Sequence, residues 1–111
     1  MTSSRVLSSV SVPALRLVEE SAAGRYLEAR RAWVTAGARL LSMGRLVVEQ
    51  PGRADYRQAR ERLRVAHTDA AERCHRAWQA WQQAQRATDA AWTATTGRTR
   101  TTTAPGTAPA A

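Results

Sequence analysis

One step in the chain, Gln50-Pro51-Gly52, constrains its fold more than any other feature. Upstream of it, apolar residues recur at three- and four-residue spacing from Leu15 to Val47; downstream, the same spacing runs from Tyr56 to Trp92. That spacing places apolar side chains on one face of a helix. A proline inside such a pattern lacks a backbone donor and clashes with the preceding turn, so the helix ends there. Two long helices with so short a join fold back on one another. The sequence therefore predicts an all-α chain, an antiparallel two-helix hairpin with helices over 13–49 and 54–96.

The ends of both helices carry the expected punctuation. Ser11 and Pro13 suit a helix start: a hydroxyl accepts from an unpaired amide of the first turn, and proline has no amide there to leave unpaired. Asp55 caps or electrostatically favours the second helix's N-terminus. Gly97 stands where a left-handed cap closes a helix. Outside these limits the composition changes. A Ser-rich leader, 1–11, and a Thr/Ala/Pro tail, 98–111, have too little apolar content for a core and are expected to be disordered, leaving 12–97 as the hairpin domain.

On a helical wheel the first apolar stripe runs from Leu15 and Val18 through Ala22, Tyr26 and Trp33 to Val47. The second includes Tyr56, Ala66, Ala70, Cys74, Trp81 and Trp92. Folding about the turn pairs residues whose numbers sum to roughly 103. Large then meets small, with Trp33 facing Ala70 and Trp81 facing Ala22. Gly24, Gly37 and Gly44 lie on or beside the first stripe. Each weakens a helix by about 0.5–1 kcal/mol relative to Ala, which close approach of the helices would explain.

The supply of apolar bulk is thin. Of 111 residues 43% are hydrophobic, but 23 are Ala, and Phe is absent, so eight Leu, eight Val and four Trp must provide most of the burial. One helix–helix interface in so small a domain seldom outweighs chain entropy. The hairpin is thus expected to complete its core by oligomerisation, as a homodimer or higher, or against another helical protein. This makes a small structural or assembly protein the leading expectation. Trp33, Trp78, Trp81 and Trp92 are the candidate partner surface, because Trp dominates binding hot spots.

The formal charge is +8, and all seventeen cations are Arg. GC-rich coding favours Arg and Ala together, but whatever its origin the charge attracts polyanions. Arg53, Arg57, Arg60 and Arg64 follow helical spacing along one edge of the second helix. They are candidate phosphate contacts for the competing expectation, an accessory protein that binds nucleic acid non-specifically through the backbone. A helix-turn-helix centred on Gly37 is not expected, since the apolar stripe continues through it.

Catalytic signatures are missing from the sequence: it has no Gly-rich phosphate loop and no nucleophile elbow. His67, Cys74 and His75 do not make the one-turn, four-ligand pattern that zinc needs. No enzymatic activity, cofactor or metal is expected. The lone Cys74 excludes an internal disulfide, no stretch reaches the length of a membrane span, and no secretory signal is evident, so a cytoplasmic protein is expected.

Overall fold

A computed structural model of the chain describes residues 11–97. They form two long helices, α1 (Val12–Glu49) and α2 (Ala54–Thr96), and no strand occurs among them. The expected leader and tail otherwise lie outside the described residues. Both helices match the sequence reading to within a residue at either end.

The local chemistry accounts for those limits. The Ser11 hydroxyl accepts from the Ala14 amide at 3.3 Å and its carbonyl accepts from Leu15 at 3.1 Å, so α1 begins on a side-chain cap. At the other end of the chain Gly97 has φ +70° and its amide donates to the Thr93 carbonyl at 2.8 Å, the single-bond left-handed cap that glycine adopts without a Cβ clash. Between the helices, the Arg53 amide donates to the Gln50 carbonyl at 3.1 Å and closes a four-residue turn. Pro51 presets the first central φ of that turn. Gly52 is not in the left-handed region, so the turn needs proline more than it needs glycine.

The chain divides into two compact units. One is Tyr26–Arg76, which holds the turn; the other brings together the segments before and after it. In the turn-bearing unit Tyr26, Val47, Ala70 and Cys74 are buried. The Trp33 indole stacks on the His67 ring, centroids 6.4 Å apart and planes 28° from parallel. The backbone at Gly37 lies so close to the same imidazole that a Cβ there would sit 3.4 Å from Nε2. In the other unit Ala22, Gln85 and Thr88 are buried, and the Arg16 guanidinium lies 5.5 Å above the Trp92 ring. The Thr88 hydroxyl, fully enclosed, donates to the Ala84 carbonyl at 3.0 Å, which satisfies it within its own helix.

Three expectations about packing are corrected. Val18 is exposed, and half-buried Glu19 falls on the inner face, because burial along α1 steps from Leu15 by four and then three residues. Ala66 is exposed and His67 takes its place inside, where its ring fills the space left by Gly37. Of the three glycines in α1, only Gly37 meets a neighbour; a Cβ at Gly24 or Gly44 would meet nothing within 4 Å. Close approach therefore explains one glycine and not the other two.

Candidate interaction surfaces

The four tryptophans are divided between the two units. Trp33 belongs to the turn-bearing unit; Trp78, Trp81 and Trp92 belong to the other. All four are half-buried. Trp33 is engaged by His67 and Trp92 by Arg16, so much of each ring's area serves packing inside its unit.

The Arg edge lies on the first turns of α2. Arg53 grips Asp55 through two bonds, Nε to Oδ1 at 2.9 Å and Nη2 to Oδ2 at 2.7 Å, and its guanidinium lies 4.1 Å above the Tyr56 ring. Arg57 donates to the Pro51 carbonyl and so ties α2 to the turn. Arg64 holds Glu61 in a second two-bond pair, with Nε to Oε2 at 3.0 Å. Arg60 is exposed at the side of a groove formed with Leu40, Leu41 and Gly44 of α1. The electrostatics follow the geometry. Hydrogen bonds from Arg53 hold the Asp55 carboxyl below its ordinary range, and those from Arg64 do the same for Glu61. Each carboxylate in turn raises its arginine. Asp55 therefore serves the helix start by charge, in the first turn and beside Arg53, and not as the cap residue itself.

Cys74 is 2% exposed, and burial pushes its thiol up while the charge of Arg30 pulls it back. A thiol held protonated and enclosed is a poor nucleophile and metal ligand. No group of three or more His, Cys, Asp or Glu side chains comes together as a metal site among the described residues. Nor is any described helix long and apolar enough to cross a membrane.

A surface that the helical-wheel reading missed lies on α1. Leu27, Val34, Leu41 and Val48 recur at seven-residue intervals, and their exposure rises along the helix from 51% through 61% and 69% to 79%. Each immediately follows a residue of the inner stripe, about 100° further round the helix. Shallow apolar grooves run beside this row, one reaching Leu63 of α2 and one floored by Gly44. The signal was present in the sequence as a strict heptad. It went unread because a single 3.6-residue stripe already accounted for the neighbouring Tyr26, Trp33, Leu40 and Val47.

Compared with models of known families, with curated proteins and with solved structures, the chain matches none.

Proposed function

We propose that the chain is an antiparallel helical hairpin serving as a non-enzymatic structural or assembly protein, which completes its core by associating with itself. The contacts of Trp33 and Gly37 with His67, and of Arg16 with Trp92, support the fold-back, since each falls near the register expected from the turn. The observation that carries the reading is how little the chain encloses. Among the described residues only Ala22, Tyr26, Val47, Ala70 and Cys74 are buried apolar side chains, and three of the five are no larger than cysteine. Large apolar groups meanwhile stand in solvent, Leu17, Leu41 and Val48 among them. A domain so built gains most from a partner that removes this surface from water.

The test is unfolding at several protein concentrations. If association completes the core, the thermal midpoint rises with concentration by mass action. A concentration-independent midpoint in a species that stays monomeric overturns the reading.

The nucleic-acid alternative draws on the net charge of +8. Local pairing of Arg53 and Arg64 with carboxylates favours assembly over it, because those cations are already partly neutralised. Retention on heparin that vanishes when Arg57, Arg60 and Arg64 become Gln would reverse that preference.

A further inference from the structure

We infer that the row Leu27, Val34, Leu41 and Val48 is the self-association surface, and that a second copy of this chain covers it with its own α1 running in the opposite direction. The inference rests on the assembly reading and names the surface and geometry that serve it.

The row has the spacing of a coiled-coil seam. Between its members, at the alternating three- and four-residue steps, lie Arg31, Ala38 and Arg45, all exposed. Together these seven positions describe a heptad seam in which one core position is always Leu or Val and the other is Arg or Ala. The inner face of the same helix is already occupied, by His67 against Gly37, so the seam is a second face and not an extension of the first. Its length, 22 residues at about 1.5 Å each, is roughly 33 Å. Along it the four apolar members are each at least half exposed, with Arg31, Ala38 and Arg45 between them.

Charge selects the occupant and its direction. In a parallel pair, equivalent residues meet: Arg31 would face Arg31 of the other copy, and Arg45 would face Arg45. Both contacts place like charges together at the seam while stripping them of water. In an antiparallel pair the two kinds of core position meet each other. Centred between Val34 and Ala38, the pairing sets Val34 on Ala38, Arg31 on Leu41 and Leu27 on Arg45. Each arginine then lays its aliphatic stem along a leucine and keeps its head at the rim, and Arg45 comes beside Glu28 of the other copy. Sliding the register by one heptad would instead bring Glu28 toward Glu49. Open space around Gly44, where a Cβ would meet nothing, leaves room for a facing backbone. The same row thus supplies both halves of a two-fold contact, which is the self-complementarity a symmetric dimer requires.

The test uses the full chain in sedimentation velocity, over concentrations from about 1 to a few hundred µM, the range in which a modest interface dissociates. The wild type is expected to be a reversible dimer. Val34→Glu and Leu41→Glu should each weaken it at least tenfold with helicity unchanged, whereas Val65→Glu, at an exposed apolar position of α2, should not. Direction is read by oxidation in a Cys74→Ala background. A mixture of Val34→Cys and Ala38→Cys chains should give the mixed disulfide in preference to either self-pair, and Arg31→Cys alone should not cross-link. Dimerisation untouched by both seam charges overturns the inference and leaves the assembly reading standing. A wild type that stays monomeric throughout removes both. Efficient self-cross-linking of Arg31→Cys overturns the antiparallel geometry, and because it needs no charge at the seam it remains decisive if the Glu variants unfold.

Discussion

The two helices are similar in length, 38 and 43 residues, yet they treat their outer faces differently. Among the described residues, six of the seven exposed large apolar side chains, Leu17, Val18, Leu27, Val34, Leu41 and Val48, belong to α1, and one, Val65, belongs to α2. At the start of α2 arginines and carboxylates grip each other, Arg53 with Asp55 and Arg64 with Glu61. Inside, the two share the buried set: Ala22, Tyr26 and Val47 come from α1, and Ala70, Cys74, Gln85 and Thr88 from α2. Both helices therefore place bulk inward, Tyr26 and Val47 from one and Gln85 with half-buried Trp78 and Trp81 from the other, and they differ in how much apolar surface they turn outward.

The contrast makes opposite demands on substitution, and this is where the largest effect is expected. Truncation should hurt α1: Tyr26→Ala removes a ring that is 7% exposed and should cost about 3 kcal/mol. Its neighbour Leu27, half exposed, should lose less than about 0.5 kcal/mol on the same change when the protein is dilute. Enlargement should hurt α2: Ala70→Leu pushes extra methylenes against a filled interior and should cost about 1–3 kcal/mol. Urea unfolding at low protein concentration measures all three. Equal losses at Tyr26 and Leu27 would erase the distinction between the inner and outer faces of α1, and a stabilising Ala70→Leu would mean that α2 faces a void.

The glycines sharpen the same comparison within α1, at smaller magnitude. Gly24→Ala and Gly44→Ala each add a methyl to open space and relieve the helix of glycine's entropy, so each should stabilise by about 0.5–1 kcal/mol. Gly37→Ala makes the same backbone gain but places its Cβ 3.4 Å from the His67 ring, and should stabilise less or not at all. Thermal melts of the three single variants at one dilute concentration rank them. If Gly37→Ala gains as much as the others, the imidazole yields freely and the tight approach at that point is no constraint.

How much of this was readable from residues alone depended on whether the information was local. The turn at Pro51, the Ser11 cap and the Gly97 cap are dictated by neighbours in sequence, and they were legible. The inner stripe was legible wherever apolar residues kept to helical spacing. It failed at Ala66, where a histidine of ambiguous polarity sat one position on and the choice between them was made by Gly37 on the other helix. The Trp patch illustrates a different limit. Periodicity puts Trp33 and Trp81 on inner faces, but whether a large ring is consumed by packing depends on what lies against it, and only the structure supplies His67 for Trp33. Along α1 two valid patterns compete, a 3.6-residue inner stripe and a seven-residue outer row, and each outer residue stands directly beside an inner one in sequence.

The smallest expected effect concerns the start of α2, where charge takes the place that apolar surface has on α1. Asp55 and Glu61 have carboxyls lowered by hydrogen bonds from Arg53 and Arg64, so their folded-state values lie below those of the unfolded chain. The stabilisation they provide is present above the unfolded values, near 3.9 for Asp and 4.3 for Glu, and is lost as pH falls through the folded ones. Protonating Asp55 also removes a negative charge from the first turn, where the helix dipole favours it. Both pairs are exposed to solvent, which screens them, so global stability should change little and the consequence should be fraying confined to the first turns of α2. Amide exchange from about pH 6 down to pH 2, corrected for its intrinsic pH dependence, should show protection falling over residues 54–64 and holding at Ala70 and Cys74. A variant with Asp55→Asn and Glu61→Gln should be frayed already at pH 6 and indifferent to acid. If that variant responds to acid as the wild type does, the ion pairs are bystanders and the two helices differ in composition without differing in what holds their surfaces.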